Sequence, residues 1–356
     1  VPEDAGFAAW RRFALDPPRA HGGPAGTGRI RTDAEDFLVE EQLGFEPDGG
    51  TAHFLLLVEK RHANTLYVAR CLAACAALPI GDIGYAGLKD RHAVARQWFS
   101  MPSSKHGPPP DGFAGDGFRV LEVHPHSRKL RRGALAANRF RLRIRELSGD
   151  VTLLAARFAT SAARGVPNYF GPQRFGREAA NLLCVRDWIE NGRLPRERTA
   201  RGFVLSAARA LAFNAVLARR VTAGCWDRLM PGDIASLEGT ASVFAVQRLD
   251  EALVRRCRDG DIHPSGPLCG DGGLQPADEA AACERAALAA LAPLPERLAG
   301  AGLRGERRAL VVRPAQLDVE ISAQELEVGF ELPRGAFATS VLREALDAKL
   351  PDAEAE

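Results

Sequence analysis

Residues 138–147 read Asn138-Arg139-Phe140-Arg141-Leu142-Arg143-Ile144-Arg145-Glu146-Leu147. Phe140, Leu142 and Ile144 alternate with Arg139, Arg141, Arg143 and Arg145. A period of two predicts a strand with one apolar, buried face and one arginine face; a helical turn would scatter the arginines around its axis. The basic character extends upstream. From Arg119 to Arg145 there are nine Arg or Lys and one acid, Glu122, a local balance of +8. That is the footprint a polyanion needs, and equally that of a solvated face.

Outward from this strand the patterns change twice. Val1 to Gly28 is rich in Pro and Gly and reads as a loose wrap. Arg29 to Gln42 reads as strand, turn, strand, with Thr32 and Glu35 as the capping pattern of the turn. His53 to Lys60 is an apolar strand, and Asn64 caps a predicted helix reaching about Leu78. Ile83 to Leu88 is read as a strand running into the charged loop Lys89-Asp90-Arg91-His92, and Gln97 to Met101 as another. Ser103 to Gly117 is a Pro/Gly loop, and Val151 to Arg164 a helix stopped by Gly165. After the loop Asn168 to Gly176, helical patterns dominate: 178–191, 204–222, 250–259 and 276–291, with one strand at Ser242 to Val246. Strand patterns return at Ala309 to Arg313 and Leu326 to Leu332, before a final helix from Ala336 to Lys349.

The last strands are too few to form a core alone. The economical reading is therefore an α+β protein, a mixed and largely antiparallel sheet core interrupted by an inserted helix-rich α/β domain. The expected division is 1–164 for the first part of the core, 165–311 for the insertion and 312–356 for the return. Two sequential domains are the alternative.

The 356 residues, 46% hydrophobic and 26% charged, have the composition of a globular protein long enough for two cores. There is no run of about 18 apolar residues, and the start at Val1 shows no charged-then-apolar signal. A cytoplasmic chain with no membrane association is expected. Seven cysteines form no C-x-x-C, and no His/Cys cluster has zinc spacing. Cys71 and Cys75 are read as two buried small residues on one helix face. The net charge of +2 says nothing of nucleic acid, but 42 of the 47 basic residues are Arg. A GC-rich genome produces that bias, and Arg also suits bidentate phosphate contacts.

Two segments carry a resemblance. Gly87-Leu88-Lys89-Asp90-Arg91-His92-Ala93 and Asn168-Tyr169-Phe170-Gly171-Pro172-Gln173-Arg174-Phe175-Gly176 resemble the tRNA pseudouridine synthase D family. Glu35-Asp36-Phe37, Asn138-Arg139-Phe140 and Phe337-Ala338-Thr339-Ser340 agree with it in the same order, so the resemblance spans nearly the whole chain. It departs at Ala95, where the family usually has Thr, at Ala34, where it often has Pro, and at Arg31, where it has Lys. The resemblance implies a pseudouridine-synthase core, a tRNA substrate with uridine 13 of the D-arm as its target, no cofactor, no metal and no protein partner.

It also implies a site. Asp90 matches the catalytic aspartate, acting either at C1′ of the ribose or on the C2′ proton. Phe140 matches the aromatic that stacks on the target uracil, and Phe37, Asn138 and Phe337 match substrate contacts. Arg31 approaches Asp90 from the first strand, and a neighbouring cation favours the ionised carboxylate. Read from residue type alone, Asp90 fits equally a turn aspartate bonding its own backbone, and the three phenylalanines fit packing positions. The target base must leave its stack to be reached. Arg128 to Arg132 and the arginine strand are expected to meet phosphates, which position RNA without reading its sequence.

Two other readings compete with the isomerase. A non-catalytic RNA-binding protein or chaperone would use the same basic strand and aromatics. A hydrolase of the glycosidic bond would need a second placed carboxylate, for which Glu35 and Asp36 are the candidates.

Overall fold

The strand read from the Arg/apolar alternation runs from Leu135 to Gly149 in the computed structural model, which describes residues 5–176 and 179–349. Asn138, Phe140, Leu142 and Ile144 are buried along one side, and Arg139, Arg141 and Arg143 are exposed on the other. This strand organises an 11-stranded sheet. Leu326–Pro333 pairs antiparallel on one flank, with Ala315–Ile321 beyond it. Phe37–Leu43 pairs antiparallel on the other flank, followed by Val94–Pro102, His53–Arg61 and Phe118–His126. Gly26–Ile30 also pairs with the long strand and takes Asp347–Lys349 as a parallel neighbour. Phe37–Leu43 with Val94–Pro102 is the other parallel pair, so the sheet is mixed and largely antiparallel. At Gly28 a Cβ would lie 2.3 Å from Ile144 Cγ2, so only glycine lets these two strands close.

Helix Thr65–Cys75 covers part of one face. Its Val68, Ala69 and Leu72 pack against Leu56, Val58, Phe99, Met101 and Val120. Asn64 stands at the N-cap, but its side chain makes no capping bond. Cys71 is partly buried and Cys75 exposed, against the expectation of two buried residues, because the apolar face of the helix stops at Leu72 and Ala76.

The chain divides into two compact units. The sheet unit holds residues 24–158, 314–335 and 345–349; the helical unit holds 5–23, 159–176, 179–313 and 336–344. The boundary near residue 158 falls inside helix Val151–Arg164. Residues 5–23 and 336–344, which the sequence reading gave to the core, group with the helical unit. Ala5–Leu15 is a helix rather than a loose wrap, because Phe7, Trp10 and Ala14, spaced three and four apart, form one apolar stripe in the helical core.

The axis of the helical unit is Arg198–Thr222, capped by Glu197, whose carboxylate accepts from the Thr199 and Ala200 N–H groups. Among the described residues it is the one helix with the length and hydropathy of a membrane span, and 67% of its most apolar stretch is buried in the protein. It is a core helix. Against it pack Ala180–Asn191, Asp278–Leu288 and the strand Ile262–Leu268 of a four-stranded sheet, Val243–Ala245, Ile234–Leu237, Ile262–Leu268 and Glu306–Ala309; Glu251–Asp259 packs on that same strand. The expected helix start at residue 178 lies outside the described residues.

Three further elements differ from the sequence reading. The turn after Arg31 is closed not by Thr32 and Glu35 but one residue on, with Asp36 accepting from the Asp33 N–H at 2.9 Å. Of the strand expected at Ile83 to Leu88, only Gly84–Tyr85 pairs. The final helix is Ala338–Leu342 alone. Beyond it the chain anchors Glu344, whose carboxylate accepts from the Ala20 and His21 N–H groups, and continues as strand Asp347–Lys349.

Candidate active site

The loop after Gly84–Tyr85 carries Asp90, and its backbone is held from below by buried side chains. Gln97, fully buried, donates Nε2 to the Gly87 carbonyl at 2.7 Å and accepts from Thr65 Oγ1 at 2.9 Å. Thr65 Oγ1 in turn accepts from the Lys89 N–H at 3.1 Å. Lys60, 1% exposed, donates Nζ to the carbonyls of Ala63, Lys89 and Asp90 at 3.0, 3.3 and 2.9 Å. A loop whose backbone groups are satisfied in this way has a defined conformation.

Asp90 emerges from that loop with a side chain 36% exposed. One oxygen accepts from the His92 N–H at 3.0 Å, the turn bond that residue type alone suggested. The other lies 2.8 Å from Arg31 Nη1. Arg31 sits at φ +61°, the left-handed region, immediately after strand Gly26–Ile30. Its guanidinium stacks 4.2 Å over the ring of Phe37. Phe37 meets Phe140 edge-on, with ring centroids 6.1 Å apart, and Phe140 meets Phe330 at 5.5 Å. Five residues singled out from the sequence are thus contiguous: Asp90, Arg31, Phe37 and Phe140 in series, with Asn138 two positions from Phe140 on the same face.

Asn138 has a partner that no motif points to. Lys89 Nζ donates to its Oδ1 and lies 3.0 Å from Oε1 of the fully buried Glu41. Burial pushes the Glu41 carboxyl up from its ordinary pKa, and Lys89, the Trp98 N–H bonded at 2.9 Å and Lys60 act the other way. Glu41 stands directly across the ladder from Asn138.

Phe337 belongs to the helical unit, where its ring meets Phe170 edge-on at 6.1 Å and lies 6.0 Å from the Arg174 guanidinium. The Asn168 to Gly176 segment is strapped down there. Asn214 Oδ1 accepts from the Phe170 N–H, and its Nδ2 donates to the carbonyls of Phe170 and Phe13. Ser340 Oγ donates to the Tyr169 carbonyl, and Tyr169 is 1% exposed. Gln173 is exposed, and Arg174 is half-buried with its Nη1 donating to Ser206 Oγ.

The arginine face proves largely neutralised. Arg139 pairs with Glu331 at 2.7 Å and Arg143 with Glu327 at 2.5 Å. Arg145 grips Asp36 with bonds of 2.8–3.0 Å; burial opposes the Asp36 charge, and Arg145 together with the Asp33 N–H holds that carboxyl below its ordinary value. Arg119 and Arg96 share Glu59. The loop at 128–132 differs. Arg128 and Arg131 are exposed, and their side chains make no ion pair or hydrogen bond among the described residues. Lys129 donates to the Gly81 carbonyl, and Arg132 lies 5.7 Å over the ring of Tyr85.

Comparison with known proteins bears on this arrangement. The sequence profile of the family described as tRNA pseudouridine synthase D matches residues 20–196 and 196–345. A curated protein of that name from Methylococcus capsulatus is 46% identical over 336 residues, covering 93% of this chain and 94% of its own. One from Nitrosococcus oceani is 44% identical over 333 residues, covering 92% and 93%. A crystal structure from Methanosarcina mazei, described as a tRNA pseudouridine synthase D, superposes with a TM-score of 0.71 at 20% identity, covering 94% of this chain and 97% of its own. At that identity the likeness speaks for the fold.

Proposed function

The chain belongs to the tRNA pseudouridine synthase D family, and we propose that its reaction is centred on Asp90, with uridine 13 of the D-arm as the target. The coarser activity follows from the family: the protein isomerises uridine to pseudouridine in tRNA. The bond from ribose C1′ to uracil N1 breaks, the base turns, and C1′ rejoins at C5. A proton leaves C5 and one is gained at N1, so nothing is oxidised and no group is imported.

The observation that carries the proposal is the contiguous series of Asp90, Arg31, Phe37, Phe140 and Asn138. Asp90 acts on the ribose, at C1′ as nucleophile or on the C2′ proton as base. Arg31 holds one carboxylate oxygen and spans the distance to the aromatic pair. A base flipped from the tRNA stack rests against Phe140. Stacking is worth ~1–3 kcal/mol per base and is not a directional hydrogen bond, so a detached base that has turned over can still stack through its other face. Asn138 meets the edge of the uracil, Phe337 contacts the substrate, and Arg128 and Arg131 meet phosphates. The sheet unit is the catalytic core and the helical unit the family-specific insertion.

The test uses an unmodified tRNA transcript bearing uridine 13, incubated with the protein and mapped for pseudouridine by carbodiimide labelling and primer extension. A stop at that uridine, absent with Asp90→Ala, is the expected result. Modification by Asp90→Ala at the normal rate would show the site to be misplaced, and a stop at another uridine would move the target.

A further inference from the structure

We propose that Lys89 locks the amide of Asn138 with Nδ2 outward, so that Asn138 offers the uracil a hydrogen-bond donor both before and after the base turns. The inference rests on the site described above and names the atom and the task of one of its residues.

An ammonium has three donors and no acceptor. The side-chain atom of Asn138 that faces Lys89 Nζ must therefore be the carbonyl oxygen Oδ1, and the orientation of the amide is decided by chemistry. Lys89 has little freedom of its own. Its side chain is 10% exposed and lies against the fully buried Glu41, which a Trp98 N–H fixes from the neighbouring strand. Glu41 and Asn138 are ladder partners, so the whole relay sits on rigid sheet. What remains is Nδ2, which has no hydrogen-bond partner among the described residues and is not sealed from solvent. It lies on the same face of the strand as Phe140, two residues on.

The substrate has a symmetry that matches this donor. In uracil the line through N3 and C6 divides the ring into matching halves. Turning the detached base about that line exchanges N1 with C5, which is the isomerisation, and also exchanges O2 with O4. A donor placed beside one carbonyl oxygen before the turn faces the other carbonyl oxygen after it. The Asn138 amide thus keeps a partner at both ends of the reaction and penalises neither. Cytosine lacks this property, because the same turn would set its amino group against the Asn138 amino group, donor against donor. Asn138 so oriented selects for a base with two equivalent carbonyls.

The experiment compares tRNA transcripts carrying uridine, 2-thiouridine or 4-thiouridine at the target, in single-turnover reactions. Sulfur is a poor acceptor, so each thio substitution is expected to slow the unaltered protein ~10-fold. Asn138→Asp keeps the shape and the bond to Lys89 but has no donor. It is expected to be slow on uridine and to show no further slowing on either thio substrate, with tRNA affinity unchanged. Lys89→Arg keeps a donor-only partner and should retain the thio effect, whereas Lys89→Met frees the amide and should diminish it. An equal thio effect in Asn138→Asp and the unaltered protein overturns the inference, as does an effect from only one of the two sulfurs. Asp90→Ala on the same transcripts separates the two levels: turnover there overturns the site itself, whereas its loss leaves the site standing while Asn138 is judged alone.

Discussion

Lys60 shows how a single buried charge can govern the reactive loop. Burial lowers its pKa, Lys89 lowers it further, and Asp90 and Glu41 resist; the outcome is about 8 against an ordinary 10.5. Between those two values the unfolded chain binds more protons than the folded one, so this residue's contribution to stability rises with pH across that window. Below pH ~8 the folded protein carries the charge at a cost of about 3 kcal/mol. The return is geometric. An ammonium satisfies the three carbonyls of Ala63, Lys89 and Asp90, and a neutral amine has only two N–H groups to offer. We expect kcat to fall on the basic side with an apparent pKa near 8, with tRNA affinity held constant by the method of salt and buffer matching. In Lys60→Met kcat should be low and this basic limb absent. A pH–rate profile of both proteins decides it; an unchanged limb in the variant would assign the titration elsewhere. No motif pointed to Lys60, because its role comes from where a strand places an ordinary lysine beneath a loop some thirty residues later in the chain.

Elements explain why charge was the hardest property to read. Alternation along Arg139 to Leu147 was sufficient to fix strand and faces, because that information is local. The acids that neutralise the arginine face, Glu327 and Glu331, sit on a strand nearly two hundred residues away and enter only through the register of the sheet. The same limit concealed the strand Ala315–Ile321, although Leu317, Val319 and Ile321 alternate visibly once it is sought. Two variants separate paired from unpaired charge. Arg128→Ala with Arg131→Ala is expected to weaken tRNA binding and to reduce the slope of log K against log salt by ~1–2. Arg139→Ala with Glu331→Ala removes a neutral pair and should leave affinity within ~2-fold. Binding isotherms at several salt concentrations test both, and the reverse ranking would place the RNA on the arginine face.

At the scale of the whole molecule, neither unit is a continuous piece of chain. The sheet unit draws on 24–158, 314–335 and 345–349, and the helical unit on the segments between them and on 5–23. The membership of 5–23 and 336–344 was not legible in the sequence, since it depends on which core accepts Phe7, Trp10 and Glu344. A fragment of residues 24–158 contains Asp90, Phe140 and Asn138 but lacks the strands that flank Leu135–Gly149 on one side. It leaves the backbone of Leu135–Gly149 unpaired along the edge that Leu326–Pro333 fills. We expect that fragment to aggregate or to show no cooperative thermal transition by circular dichroism; a soluble, cooperatively melting fragment would show the sheet to be self-sufficient. The pairing of Gly26–Ile30 with Asp347–Lys349 also sets a timetable for biosynthesis. At ~5–20 residues per second, a ribosome that has made the first strand needs about 15–60 s more to deliver its parallel neighbour. For that interval Gly26–Ile30 has no parallel neighbour, and that place in the nascent sheet stays unfilled until residues 347–349 emerge.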